Sequence, residues 1–253
     1  DDYSVINPEA KKIHDLFEQR GETVLNDHVA FRTFAHPLVG ITALSQIFLK
    51  FGYKAVQNYE FKEKKLKATH FVNSDQNLPK IFISELLYKE FSPHFQKIIE
   101  SLIKQIPADF TKSEDWIVQG RAWDVSFKMF EELEKESDYA GWLSAFGFRA
   151  NHFTVNFNEL KTFSTMQDLN NFLKQSGFSL NASGGEIKGT AQELLEQSST
   201  MAPLIPVSFT NGIFNIPSCY YEFARRYKDN QGNLYQGFIA ASADKIFEST
   251  HRK

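Results

Sequence analysis

Cysteine occurs once in these 253 residues, at Cys219. A single thiol cannot close an intrachain disulfide, so stability must come from the core, and a reducing, cytoplasmic setting is expected. No apolar run is long enough to span a bilayer and no signal-peptide pattern is evident, so a membrane partner is not expected. A strong charge of either sign is missing too: 28 Lys and Arg face 31 Asp and Glu, for a net charge of −3. That balance argues against nonspecific binding to nucleic acid or to an anionic membrane. The chain lacks a Gly-x-Ser-x-Gly elbow and a dinucleotide fingerprint. Its "ASGG" (182–185) is a turn, because no helix start with Lys-Ser/Thr follows it.

What is plentiful is aromatic carbon. Phenylalanine alone accounts for 25 residues, and 42% of the chain is hydrophobic. This is enough to bury the core of one large domain or two small ones.

The opening "INPEAKKIHDLFEQRGE" reads as a helix, with Asn7 as N-cap, Pro8 in the first turn, Gly21 as stop, and Ala10, Ile13 and Phe17 facing inward. "HVAFRTF" is a strand. "GITALSQIFLKFGY" is a helix with Leu44, Phe48 and Phe51 on one stripe, ended by Gly52. "AVQNYEF", "KATHFVN" and "KIFISELL" are three more strands. Residues 91–150 are mostly helical, opening on a Ser92 cap. Then the order repeats: strand "NHFTVNFN", helix "FSTMQDLNNFLKQSGF", extended segments "GGEIKGT", "ELLEQSST" and "VSFTNGIFNI", and a last strand "SCYYEFARRY". Two modules of one β-α-β-β-β plan are expected, each opening on a histidine strand and closing on a strand with a glutamate, Glu85 or Glu222.

Side chains on a strand alternate faces. In "DHVAFRTF" (27–34) an acid and a histidine open the strand, and His28, Ala30 and Arg32 share a face. His152, Thr154 and Asn156 share one in the second module, as do Tyr220, Glu222, Ala224 and Arg226 in the last strand. If these faces converge, two imidazoles and a carboxylate meet, the set that leaves open positions on a non-haem Fe(II). Such donors suit Fe(II), Mn(II) or Zn(II) better than Cu(I) or an iron–sulfur cluster. Arg32 beside a metal could then hold a substrate carboxylate with its planar fork. Each signal also has an ordinary reading. A strand-initial histidine is commonly just hydrogen-bonded, and Glu222 could pair with Arg225 or Arg226 at a sheet edge. Glu85 is a reserve ligand, and His70 a substrate-facing, supporting or plain core residue. His14 and His94 fall on helix surfaces and His36 in a turn. "FKEKKLK" reads as a solvated strand edge, and Cys219 as a buried structural thiol.

"DHVAFRTF", "FISELL", "ANHFTVNFN" and "YYEFARRY", taken together, resemble the DUF1338 family of 2-oxo acid dioxygenase/decarboxylases, related in fold to the vicinal-oxygen-chelate superfamily. The resemblance covers most of the chain. It implies an α+β fold in which two vicinal-oxygen-chelate-like βαβββ modules form a curved, barrel-like mixed sheet around a metal site. The expected organisation is one metal-binding domain over residues 1–253, with module one at about 22–90, a helical insertion at about 91–148 and module two at about 149–240. The resemblance, not the spacing, selects His28, His152 and Glu222 as metal ligands and prefers Glu222 to Glu85. It implies Arg32 as the catalytic, substrate-binding arginine; His70 stays a candidate for substrate on its strand position alone. The implied cofactor is Fe(II), with Mn, Zn or Ni as substitutes a purified sample could carry, and the implied partners are a 2-oxo acid and O2. The implied reaction turns 2-oxoadipate into 2-hydroxyglutarate and CO2. The same site could instead serve an O2-independent lyase, isomerase or hydrolase, or hold a structural metal in a binding module.

Overall fold

The computed structural model describes residues 2–250. In chain order the elements are α1 (Asp2–Ile6), α2 (Pro8–Gln19), β1 (Asn26–Phe34), α3 (Ile41–Lys50), β2 (Lys54–Phe61), β3 (Leu66–Val72) and β4 (Lys80–Leu86). They continue with α4 (Pro93–Ile103), α5 (Phe127–Glu136), α6 (Asp138–Phe146), β5 (Ala150–Asn156) and α7 (Met166–Gln175). The last are β6 (Lys188–Thr190), β7 (Leu195–Ser199), β8 (Leu204–Phe209), β9 (Gly212–Pro217), β10 (Glu222–Arg226) and α8 (Ala240–Ile246). The fold is mixed α+β. No described helix is long and apolar enough to cross a membrane. The described residues form two compact units, one of residues 2–29, 152–203 and 218–250, the other of residues 30–151 and 204–217.

In the first unit the strands lie in the order β1, β5, β10, β7, β6. β10 pairs in parallel with β5, Glu222 opposite Thr154 and Phe223 opposite Val155. It pairs antiparallel with β7, Glu222 opposite Ser199 and Ala224 opposite Gln197. β10 is therefore an inner strand, not the edge strand that a Glu222–Arg225 pairing would need. One face of this sheet is apolar. Phe17 of α2 meets Phe223 at 6.1 Å and Phe163 at 5.9 Å, both edge-on. Val155, Phe223, Leu169 and Leu173 are fully buried there; burying each such side chain is worth about 1.5–3 kcal/mol. The flanking helices start where local chemistry dictates. The Asn7 side chain accepts the Ala10 N–H at 3.1 Å, and Thr165 and Asp168 form a reciprocal capping box on α7.

The second unit repeats the β-α-β-β-β order with the Ala30–Phe34 part of β1, α3, β2, β3 and β4, as the sequence predicts. Here β3 lies between β2 and β4, antiparallel to both. The α3 N-terminus is held from a distance: the Ile41 N–H donates to Glu85 Oε2 at 2.9 Å. Gly40 makes room for that contact, since a Cβ there would lie 2.9 Å from both the carboxylate and the His36 carbonyl oxygen. Tyr139 of α6 ties this unit together. Its hydroxyl accepts the Thr33 N–H at 2.9 Å and donates to the Ser84 carbonyl at 2.7 Å.

Three local expectations change. Phe51 was placed on the buried stripe of α3, but the helix ends at Lys50 and the chain turns at Gly52, leaving Phe51 66% exposed. The lysine run is not a strand edge: Lys62–Lys65 form the turn between β2 and β3. "VSFTNGIFNI" is extended in both halves but acquires a turn, forming most of the β8–β9 hairpin, with Phe214 stacked on Phe127 at 3.8 Å.

Glu22 follows α2 and is 4% exposed. Its carboxylate accepts the N–H groups of Lys161 at 2.8 Å and Thr162 at 2.6 Å, and the Thr162 hydroxyl at 2.6 Å. Burial raises its pKa, but these bonds and Arg20 outweigh burial and leave it below the ordinary 4.5. A carboxylate whose folded pKa is depressed adds stability above its unfolded pKa and loses it as pH falls through the folded value. Glu22→Gln is therefore expected to lower stability at neutral pH and to flatten the loss on acidification below about pH 4.5. Denaturant unfolding across that range measures both; an acid limb identical to wild type would refute the linkage.

Candidate metal centre

Alternation on β1, β5 and β10 brings one donor from each strand to a common point in the first unit. His28 is 2% exposed, His152 5% and Glu222 1%. Their donor atoms all lie within 4.8 Å of one another. His152 Nε2 is 3.2 Å from Glu222 Oε2, and His28 Nε2 is 3.6 Å from Glu222 Oε1. Donors about 2.1 Å from one cation stand about 3.0 Å apart at a right angle and about 3.4 Å apart tetrahedrally. The two imidazole-to-carboxylate separations, one to each Glu222 oxygen, match this to within a few tenths of an ångström, and all three donors lie within 4.8 Å, so the residues fit a divalent metal.

The surroundings fit as well. Asp27 Oδ1 lies 2.8 Å from His28 Nδ1. Burial would raise the Asp27 pKa, but the Arg226 guanidinium and the His28 ring hold it well below the usual carboxylate range. An ionised carboxylate only accepts, so His28 Nδ1 is the donor in this bond, and Nε2 is the nitrogen turned to the centre. A carboxylate behind the imidazole is the usual support of a metal-bound histidine. The Thr154 hydroxyl lies 3.0 Å from that Nε2 and can rotate away when a cation takes the lone pair. Gln197 Nε2 donates to Glu222 Oε1 at 2.6 Å. Burial raises the Glu222 pKa against the lowering by the His28 ring and this hydrogen bond. A carboxylate buried among imidazoles and one amide gains most from a nearby cation. The His152 ring stacks on Tyr220 at 4.5 Å and meets His28 edge-on at 5.5 Å.

His28, His152 and Glu222 thus come together as expected. Glu85 belongs to the second unit and serves the α3 N-terminus instead. Arg32 and His70 are also buried in that unit. Arg32 lies over the rings of Tyr139 at 4.9 Å and Trp142 at 5.1 Å. His70 Nδ1 is 2.9 Å from the Tyr59 hydroxyl. His14, Asp15 and Glu18 make a second group with metal-ligand atoms, on the outside of α2 and partly exposed.

The family model for 2-oxoadipate dioxygenase/decarboxylase matches residues 4–232, a span that includes all three donors. The chain belongs to this family. It is 36% identical over 270 residues to the 2-oxoadipate dioxygenase/decarboxylase of Oryza sativa subsp. japonica, covering 96% of this chain and 74% of the relative. Hydroxyglutarate synthase from Oryza sativa, crystallised with 2-oxoadipate, matches with a TM-score of 0.90 and 34% identity over 98% of this chain and 88% of that one. A Shewanella frigidimarina NCIMB 400 protein given a provisional hydrolase name matches with a TM-score of 0.90 and 49% identity over 94% of each chain. A glyoxalase-superfamily protein of Ralstonia eutropha JMP134 shares the fold at a TM-score of 0.76 and 18% identity, over 92% of this chain and 80% of that one.

Sequence reasoning did not place Asp27, Arg226 or Gln197 in support of the metal donors. Asp27 was visible as an acid directly before the strand-initial histidine, a spacing that lets a short carboxylate reach the ring. Arg226 shares the Glu222 face by alternation, but nothing local names Asp27 as its partner. Gln197 left no signal, because only the β7–β10 register carries its amide to Glu222. Two substitutions separate the two candidate glutamates. Glu222→Ala should weaken divalent-metal binding more than about 100-fold, beyond the loss typical of a supporting residue. Glu85→Ala should leave metal affinity at the wild-type value and lower stability by about 1 kcal/mol through the lost helix-terminal contact. Calorimetric metal titration and denaturant unfolding of both variants check this pair.

Proposed function

We propose that this chain is an Fe(II)-dependent dioxygenase/decarboxylase that converts 2-oxoadipate and O2 into 2-hydroxyglutarate and CO2. The observation that carries the reading is the buried His28–His152–Glu222 group in a member of this enzyme family. Two imidazoles and one carboxylate would hold the metal, a donor set that suits a non-haem Fe(II) with room for substrate and O2. One O2 enters and one CO2 leaves per substrate, so no second 2-oxo acid is consumed. Fe(II) supplies the oxygen chemistry, which side chains cannot.

The chain's own part is to hold, orient and exclude. Asp27 holds His28 by Nδ1 so that Nε2 faces the centre, and Gln197 fixes the Glu222 carboxylate. Burial of all three donors keeps bulk water from the site. Arg32 follows His28 on β1 with the same facing by strand alternation, and its role in this reading is to grip a substrate carboxylate with two parallel N–H donors. The Tyr139 and Trp142 rings restrict that guanidinium, which matters because a 1 Å misplacement can lower a rate by roughly 100-fold. His70, anchored by Tyr59, is the second substrate-facing group. The hydrolase name of the Shewanella protein marks the competing reading, in which the same donors serve a reaction without O2.

O2 uptake and CO2 release by the Fe(II)-loaded protein with 2-oxoadipate, with His152→Ala as control, decide between them. Uptake absent from the control supports the oxygenase. Bound metal with no uptake would turn the assignment to the O2-independent class. Arg32→Ala should retain metal and lose about 100-fold or more in turnover; an unchanged rate would remove Arg32 from the substrate site.

A further inference from the structure

The buried Arg226 makes more bonds than an ion pair needs. Nε donates to Asp27 Oδ2 at 2.6 Å and Nη2 to Asp27 Oδ1 at 2.9 Å. Nη1, on the far side of the same plane, donates to the Gly237 carbonyl at 2.7 Å and the Tyr235 carbonyl at 3.1 Å. The next residue, Phe238, puts its ring edge-to-face on His28 at 4.8 Å, and the guanidinium carbon lies 5.1 Å from that ring's centroid. Asp27 Oδ1 in turn meets His28 Nδ1 at 2.8 Å. A closed circuit results: His28, Asp27, Arg226, residues 235–238, and back to His28 through Phe238.

We propose that Arg226 is a positioning residue for His28, and that through it the segment 235–238 helps set the geometry and affinity of the metal centre. The proposal rests on the metal reading above. The physical basis is rigidity. A guanidinium is one flat group, so its carboxylate side and its carbonyl side cannot shift independently. Moving the segment turns the fork away from Asp27, and Asp27 then loses its hold on the His28 tautomer and ring angle. A lysine here would keep the charge but not the paired geometry.

The test is Co(II) titration of the protein, followed by visible absorption, for wild type, Arg226→Lys and Phe238→Ala. Arg226→Lys should bind Co(II) about 10–100-fold more weakly, with shifted absorption bands and a wild-type far-UV circular dichroism spectrum. Phe238→Ala should move affinity the same way. The double variant should lose less than the product of the two, because both act on one circuit. Coupling is reciprocal, so Co(II) should also slow amide hydrogen exchange at 235–239 in the wild-type protein, a measurement that needs no variant to fold. Wild-type affinity and bands in Arg226→Lys, or exchange at 235–239 untouched by Co(II), would overturn the proposal. A wild-type protein that takes up no Co(II) would instead defeat the metal reading on which it stands.

Discussion

The structure turns on how charges are tolerated away from water. A buried carboxylate is sustained only by compensation close at hand. On the polar face of the first unit there are two such carboxylates, and they are handled differently. Asp27 is closed off: a bidentate guanidinium and an imidazole occupy it. Glu222 is left open, with one amide and two imidazole nitrogens around it and its pKa raised by burial. The closed pair holds the ring of His28; the open carboxylate gives the centre its negative charge. Much else follows from keeping that face intact. β10 must be an inner strand, since an edge would admit water beside Glu222. The opposite face must be greasy enough to hold the sheet against α2 and α7.

Much of this was legible from strand periodicity. Alternation alone put His28 with Arg32, His152 with Thr154, and Glu222 with Arg226, because a period of two leaves no choice of face. It could not choose between Glu85 and Glu222, each a glutamate late in the closing strand of its module; the family resemblance made that choice. Glu85 is engaged by the Ile41 N–H across a gap that only Gly40 leaves open.

What stayed hidden depends on register and on tertiary context. Gln197 reaches Glu222 only because β7 runs antiparallel to β10 with Ala224 opposite it, and no local pattern encodes that pairing. Phe51 looked like the third member of an apolar stripe until the helix ended one residue before it. The β8–β9 hairpin and α8 escaped because their sequences are short and mixed in polarity, and neighbours decide their conformation. Phe214, for example, is placed by the Phe127 ring on which it stacks.

The parallel pairing of β5 with β10 bears on the order of events in folding. His152 and Glu222 belong to neighbouring strands that are distant along the chain, with α7, two strands and a hairpin between them. Parallel pairs of this kind close late, after the entropy of a long loop has been overcome. His28 and His152 are further apart still, 124 positions against 70, so no two of the three donors meet through local structure. Only the finished fold offers the complete group, so an ion would be captured by that fold and would not template it. Metal supply would then add to the stability of the native state through mass action, while the sequence by itself must carry the chain to that state.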